Sequence, residues 1–473
     1  MVKIKLNDDL YRYDVYQMFN LFYSFTEIEF TEDIYDFLVI IDNEKIVIKD
    51  ADGSLEDYFN ESINYKEQIK KTIFIYLSEK TKIELPWGTL VGIRPSKIAL
   101  SLMDSGYSES EIIEYYKKHY FTREDKIKLC IEIAKAEKNI VNTSSEKISI
   151  YIGMPFCPSR CLYCSFTSSI GRDEKLVNMY IKALLHEIES IGQYINDKAL
   201  CIDTIYFGGG TPTAVSDNQF EDVMSHIYKY FADNKNVSEF TVECGRPDSL
   251  NENKFLIMKK YGVTRISINP QTMNDESLKK VGRNHTSSDI IEKYNMARDL
   301  GFNNINMDLI AALPGEDVNM IEHTCNEIQK LSPDSITVHG LCVKRGSALY
   351  ENILNNNNNE RLPQSEINKM YERTVELSKN LKMKPYYMYR QKNMIGNMEN
   401  VGYSLTGKEG IYNIQMIEEK QTIISVGANA VTKVVFLDEN RIERFANVKD
   451  VKEYVNRIDE MINKKIELLN TLY

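Results

Sequence analysis

The chain has 473 residues, 43% hydrophobic and 27% charged, with a net charge of −11. This length allows two or three domains with a substantial core, and the acidic balance, with no Lys/Arg block, excludes a broad nucleic-acid-binding surface. No apolar run approaches the ~20 residues of a membrane-spanning helix, and Met1-Val-Lys-Ile-Lys-Leu-Asn-Asp-Asp9 lacks the apolar centre of a signal peptide. Eight cysteines, three of them between 157 and 164, point to thiols kept reduced and to a cytoplasmic location rather than to a disulfide framework.

Residues 1–60 alternate short strands with a helix. Phe37–Ile41 and Lys45–Lys49 are expected to form a hairpin around Asp42-Asn-Glu, and Asp50-Ala-Asp-Gly53 marks a turn. From Tyr65 to about Asn142 the pattern is mostly helical, with Ile131–Asn139 a clear helix-forming stretch. Between these helices lies Leu85-Pro-Trp-Gly-Thr-Leu-Val-Gly-Ile-Arg94, whose lone Trp87 is read as packing in preference to a docking loop.

From Ile148 the character changes. Expected strands are Ile148–Ile152, Thr204–Phe207, Glu239–Val242, Arg265–Ile268, Asn304–Leu309 and Ser335–Val338. Expected helices between them are Lys175–Ile191, Asp217–Phe231, Glu252–Tyr261, Ser288–Leu300 and Asp317–Leu331. Successive β-then-α steps imply a parallel sheet with right-handed crossovers. A doubly wound sheet satisfies the pattern, but a partial (β/α)6 barrel fits better, because every unusual polar motif falls at a strand end, where such barrels collect their sites. The expected domains are residues 1–145, small and α+β, the barrel at 146–354, and a C-terminal cover at 355–473.

The first strand runs into Tyr151-Ile-Gly-Met-Pro-Phe-Cys157-Pro-Ser-Arg-Cys161-Leu-Tyr163-Cys164-Ser-Phe166. Thiols at i, i+4 and i+7 let one loop aim three thiolates at a common centre. Three ligands on a 4Fe–4S cubane leave one iron open to a substrate. The alternatives are zinc, which ordinarily asks for four protein ligands and finds no second Cys pair here, or unrelated buried thiols. The second strand ends in Gly208-Gly-Gly-Thr211, where backbone can approach a ligand closely; no Gly-Lys-Ser/Thr follows, so a phosphate loop is excluded. Glu243 ends the third strand, either as a solvated acid or as a carboxylate at a barrel mouth; adjacent Cys244 reads as a packing residue. Asp308 is a charge within an apolar strand and needs a partner or a role. His339, at the end of the sixth strand, is a structural histidine in preference to a proton donor or haem ligand. The Asn355–Asn359 run reads as a flexible connection. Tyr386–Tyr403 combines tyrosines with Arg390 and Lys392 and suits a cover over a flat, carboxylate-bearing ligand, or a strand–turn segment packed on the barrel.

The C-x3-C-x-Y-C run, preceded by Pro-Phe and followed by an aromatic, resembles the radical SAM enzymes. The flanking Tyr151 and Phe166 narrow the resemblance to the oxygen-independent coproporphyrinogen III oxidase (HemN-like) branch, with details closest to HemZ-type coproporphyrinogen dehydrogenases. It covers residues from about 148 to the C-terminus. In many members a His stands two residues after the Tyr; here it is Gly153, which is not a cluster ligand. The resemblance implies a 4Fe–4S cluster on Cys157, Cys161 and Cys164, and S-adenosylmethionine (SAM) bound by Tyr151, Tyr163, Gly209, Gly210, Thr211, Glu243, Gln271, Arg283 and Asp308, with adenine near Cys342. Tyr151 would also serve the catalytic site.

On this resemblance a tetrapyrrole is the substrate: a 5′-deoxyadenosyl radical takes hydrogen from a propionate of coproporphyrinogen III, and loss of CO2 and an electron leaves a vinyl group. A low-potential electron donor of flavodoxin or ferredoxin type is implied as partner. A haem-trafficking (HemW-type) subgroup has an His-Asn-x-x-Tyr-Trp pattern, where this chain reads Glu399-Asn-Val-Gly-Tyr403. A third reading is a radical SAM enzyme acting on haem. The Arg-Tyr-Thr-x-Tyr-Pro segment of the best-known HemN enzymes is missing from residues 1–145.

Overall fold

The computed structural model describes every residue except 61–63, 166–168, 171–172, 234 and 356–361. Phe166 and all of the Asn355–Asn359 run after Asn355 therefore lie outside the described residues. The chain forms two compact bodies. One comprises Met1–Ile131, Asn352–Lys369 and Arg390–Glu399; the other comprises Glu132–Glu351, Met370–Tyr389 and Asn400–Tyr473. The segment 355–473, expected to act as one cover, is thus shared between the two.

In the first body, strands Val2–Leu6, Ile28–Phe30, Phe37–Ile41, Lys45–Lys49 and Ser54–Tyr58 form one sheet. The expected hairpin pairs antiparallel, Ile41 opposite Ile46. Alternation puts Phe37, Val39 and Ile41 on the inner face, where helices Arg12–Phe22 and Tyr65–Thr81 bring Phe19, Phe22, Ile69 and Ile73 against them. Trp87 is fully buried, as its packing reading expects. Its Nε1 donates to Glu399 Oε2 (2.7 Å), and Lys126 Nζ donates to Oε1 (2.5 Å). Both oxygens of a buried carboxylate are thereby answered, the condition under which such a pair persists in a core.

The second body is built on the expected succession of β-then-α steps. Its parallel strands, in chain order, are Lys147–Met154, Cys201–Gly209, Glu239–Glu243, Arg265–Ser267, Ile305–Ala311 and Ser335–Gly340. They lie side by side in that order within an eleven-stranded sheet. The intervening helices are Glu174–Asp197, Asp217–Ile227, Glu252–Lys260, Ser287–Asp299 and Val318–Leu331. Their starts carry the chemistry that sets helix beginnings: Ser216 with Gln219, and Thr286 with Asp289, form reciprocal caps. The helix expected to reach Phe231 loosens into a π-turn at Tyr228–Ala232. A further short helix, Asp275–Lys280, lies after the fourth strand.

Each barrel strand has two environments. In the first, Ile148, Ile150 and Ile152 are fully buried on one face, each worth roughly 1.5–3 kcal/mol relative to exposure. On the other face Ser149 meets Thr204 (2.7 Å) and Tyr151 faces the barrel interior. Thr422–Val426 pairs parallel with this first strand and continues the sheet to Val431–Phe436 and Arg441–Ala446. At the far side Asn400–Ser404 adds antiparallel to the sixth strand, and Lys384–Tyr389 pairs antiparallel with Asn400–Ser404 at the sheet's edge. Helix Ile411–Glu418 closes the floor, at the strands' N-terminal ends. There the Glu239 carboxylate accepts from the amides of Ile411 (2.8 Å) and Tyr412 (3.3 Å), an anion at the helix's positive end. No helix among the described residues is long and apolar enough to cross a membrane.

Candidate functional site

A cavity of about 540 Å³ occupies the concave side of the parallel strands, a size usual for small-molecule sites. Tyr151, Cys157, Cys161, Tyr163, Cys164, Gly209, Gly210, Thr211, Glu243, Gln271, Arg283 and Asp308 all line it. Residues spread over more than 150 positions converge because the strands lie side by side: Tyr151 and Asp308 face the cavity from within their strands, and the others stand at strand ends or on the connections that follow. Cys342 is not among the lining residues.

The three thiols are half-buried on the loop after the first strand. Its path is held by backbone bonds, Leu162 N to Val281 O (2.9 Å) and Leu349 N to Leu162 O (2.9 Å). Arg246 Nη1 stands 3.6 Å from Cys161 Sγ, and Thr211 Oγ1 3.5 Å from Cys157 Sγ. A cation and a hydroxyl donor thus stand beside the sulfurs. Gly210 leaves the space the loop uses: a Cβ there would lie 2.6 Å from Phe156 O and 3.0 Å from Cys157 Sγ. Gly209 has φ +104°, a conformation open to glycine. Among the described residues no three His, Cys, Asp or Glu side chains converge tightly enough for a single metal ion. Three thiols around one cavity end, with cationic support and glycine-cleared backbone, fit a larger sulfur-ligated cluster. Cys244 faces elsewhere, its thiol buried toward Val242 O and Met258, as a packing residue does.

Polar groups on the neighbouring strand ends supply the rest of the wall. Gln271, at φ +66°, donates its amide to Asp308 O (2.9 Å), while its Oε1 is buried without a hydrogen-bond partner among the described residues. Such an orphaned acceptor beside a cavity fits an absent polar ligand. Arg283 is buried, and its Nη2 donates to the carbonyls of Gly245 (2.6 Å) and Asn269 (2.7 Å), with Nη1 toward Tyr163 Oη (3.4 Å). Two of its donors therefore brace the loops after the third and fourth strands. Asp308 answers the need for a partner: burial raises its carboxyl, but His339, 3.5 Å away, and Asn306 (2.7 Å) bring it below its ordinary value. His339 is thus engaged with a carboxylate, in line with its structural reading. Glu243 is pushed up to about 7 by burial; the Tyr206 hydroxyl pulls against this, Asp308 adds to it and His339 opposes it.

Sequence reasoning missed Tyr206 and Tyr412. Tyr206 stands opposite Tyr151 in the sheet register, with ring centroids 6.2 Å apart. Tyr412 rises from the floor helix and stacks on Tyr206 at 4.4 Å. Tyr206 was findable, being two residues before the glycine run on the same strand face; Tyr412 carries no local signal. Arg390 and Lys392 correct the expectation of counter-charge over a ligand. Neither lines the cavity. Arg390 is buried in the first body, donating to Leu90 O and Asn397 O and lying 4.9 Å over the Trp87 ring, while Lys392 reaches Tyr13 Oη (2.7 Å). The tyrosines lie in strands Lys384–Tyr389 and Asn400–Ser404 of the barrel sheet, as in the strand–turn alternative, with Tyr387 and Tyr389 on the cavity wall.

Comparison with known proteins agrees with this geometry. Residues 151–328 match the radical SAM superfamily model. The chain is 38% identical, over its full length and 98% of the relative's, to the oxygen-independent coproporphyrinogen-III oxidase-like protein HemZ of Bacillus subtilis. It is 31% identical, over 66% of this chain and 76% of the relative, to the haem chaperone HemW of the same organism. The solved structure of coproporphyrinogen III oxidase (HemN) from Escherichia coli shares the fold, with a TM-score of 0.55 and 20% identity over 69% of this chain and 72% of that one. The expected partial barrel is therefore the fold of a family that works with a 4Fe–4S cluster and SAM. This chain belongs to the radical SAM superfamily, within its HemN/HemZ-like, coproporphyrinogen-oxidase-like family.

Proposed function

We propose that the protein catalyses the oxygen-independent oxidative decarboxylation of coproporphyrinogen III to protoporphyrinogen IX, in the cytoplasm, with electrons from a low-potential flavodoxin- or ferredoxin-type donor. The observation that carries the reading is the convergence of three thiols and the polar strand ends on one cavity of about 540 Å³. The cluster and SAM, when bound, supply a carbon radical able to remove a hydrogen atom from a propionate side chain; the organic chemistry is theirs. Each propionate gives that hydrogen atom to the radical, releases CO2, passes one electron to a one-electron acceptor of iron–sulfur or flavin type, and becomes a vinyl group.

The chain's own part is binding, orientation and shielding. Cys157, Cys161 and Cys164 would hold the cluster. Glu243 and Asp308 put carboxylates, and Gly209, Gly210 and Thr211 put backbone and a hydroxyl, where SAM's polar end would lie. Tyr151, Tyr206 and Tyr412 make an aromatic wall of the cavity. A haem-carrier reading has the similarity to HemW in its favour. Against it, Glu399, where that subgroup has its motif histidine, is fully used by Trp87 and Lys126.

Anaerobic incubation of the reconstituted protein with coproporphyrinogen III, SAM and a reductant is expected to yield first a monovinyl and then a divinyl product by mass spectrometry. Stoichiometric haem binding with no decarboxylation by a cluster-loaded sample would decide for the carrier.

A further inference from the structure

We propose that Tyr206 is a positioning residue. Its hydroxyl clamps the Glu243 carboxylate on the cavity wall, and Tyr412 of the floor helix braces its ring, so that the carboxylate is presented in ionised form to a cationic group of SAM. The inference rests on the placement of SAM argued above and deepens it.

Three observations meet here. First, Tyr206 and Glu243 lie on neighbouring strands, and the Tyr206 Oη–H donates directly to Glu243 Oε1. No other described residue donates a hydrogen bond to that carboxylate. Second, the space for the pair is kept by Gly208. A Cβ there would stand 2.7 Å from Tyr206 Cε1 and 3.3 Å from the Glu243 carboxyl carbon, so any side chain at 208 would displace the clamp. Third, the ring of Tyr206 is held in a cluster of three. Tyr412 stacks on it, with centroids 4.4 Å apart and planes at 21°; Tyr151 lies at 6.2 Å and 16°, and Tyr151 and Tyr412 are 6.3 Å from each other. A side chain packed in place before the ligand arrives spends its entropy in folding rather than in binding.

The groups around the carboxylate explain why a clamp is needed. Asp308 repels it, His339 attracts it, and the neutral phenols of Tyr151, Tyr389 and Tyr412 face it from other elements. No arginine or lysine is among these neighbours. The Tyr206 hydroxyl and His339 are what offset burial. A carboxylate on a cavity wall recognises a cation, and SAM carries an ammonium and a sulfonium. Held ionised it binds them; protonated it offers only a neutral hydroxyl.

The test is the affinity of the cluster-loaded protein for SAM, measured anaerobically by equilibrium binding between pH 6 and pH 9, for wild type, Tyr206→Phe and Glu243→Gln. Tyr206→Phe keeps the ring and the stack, so iron content should match wild type. Taking the ratio of variant to wild-type affinity cancels titration of the ligand itself. Losing one hydrogen bond to the ionised form raises the Glu243 titration by about one pH unit. Tyr206→Phe should therefore bind about tenfold more weakly at pH 6, about fivefold more weakly at pH 7 and nearly as well as wild type at pH 9. Glu243→Gln should be weaker with no recovery at high pH. The clamp is overturned if Tyr206→Phe matches wild type throughout, or if its deficit is the same at every pH, as a purely structural lesion would give. Wild-type affinity in Glu243→Gln would remove Glu243 from the SAM site and the clamp with it, leaving the cluster assignment untouched.

Discussion

Replacing Cys157, Cys161 and Cys164 together with alanine is expected to remove all cluster iron and all SAM cleavage while leaving the fold in place. The fold survives because the thiols are half-buried on a loop whose course is set by other groups. Leu162 N bonds Val281 O, Ser159 Oγ donates to Gly282 O (2.9 Å), and Arg246 is tied to Asp248 by two bonds (3.0 and 2.9 Å). Iron has no such alternative. Among the described residues Cys244 faces away and no other acid or histidine converges with the thiols. Single replacements should lose most of the iron, since two thiolates cannot complete a site built for three. Iron and sulfide analysis, the visible absorbance of the reconstituted protein and thermal unfolding of the apo form measure the two halves of the expectation. A triple variant that holds stoichiometric iron and cleaves SAM would sink the cluster assignment.

The second large effect is on stability. Glu187 and Lys465 are both fully buried and form an ion pair. Burial pulls the lysine's pKa down, and the glutamate's attraction opposes this. The remaining capacity of Glu187 is filled by Tyr454 Oη (2.6 Å), Gly427 N (2.7 Å) and Asn447 Nδ2 (2.9 Å). Lys465→Ala leaves a charged carboxylate in the core without its counter-ion and should cost about 3–5 kcal/mol in denaturant unfolding. Glu187→Leu with Lys465→Leu should recover much of that loss, because two charges are removed together. A loss below about 1 kcal/mol in Lys465→Ala would place the pair in the class of solvent-screened ion pairs. The pair also reaches the site. Gly427, at φ +101° and hard against Gly153 O, starts the turn that carries Asn429 and Ala430 to the cavity wall. Lys465→Ala should therefore also weaken SAM binding, although Lys465 touches no part of the cavity.

The barrel was legible because its strands are short apolar runs between amphipathic helices, so period alone located all six. Boundaries were less so: Thr204–Phe207 extends to Cys201–Gly209, since Asp203 and Gly208 read as polar or breaking yet sit in the sheet. Helix Asp275–Lys280 was missed because six residues cannot display a helical period. Cavity residues at strand ends were readable, because an acid or a glycine run in that place breaks an apolar pattern. Arg390 misled for the opposite reason. Its chemistry suits a carboxylate, but its bonds are to the carbonyls of Leu90, Asn397 and Met398 and to the Asn397 side chain, and its face lies on Trp87, 303 positions away in sequence. Such partnerships are created by the fold and leave no trace in local pattern, and the same is true of Tyr412 beneath Tyr206.

The pairing of the first barrel strand has a consequence for the making of the protein. One edge of Lys147–Met154 is satisfied early, by Cys201–Gly209, but the other waits for Thr422–Val426. Ser149 and Gln421, which meet across that second edge, are 272 residues apart in the chain. A ribosome adding roughly 5–20 residues per second needs tens of seconds or less to bridge that interval. Throughout it the strand that leads into the cysteine loop presents an unpaired edge, the kind of surface that recruits foreign strands. The cluster site is therefore among the last parts of the barrel to be finished, and iron delivery is expected to follow release of the complete chain rather than accompany its synthesis.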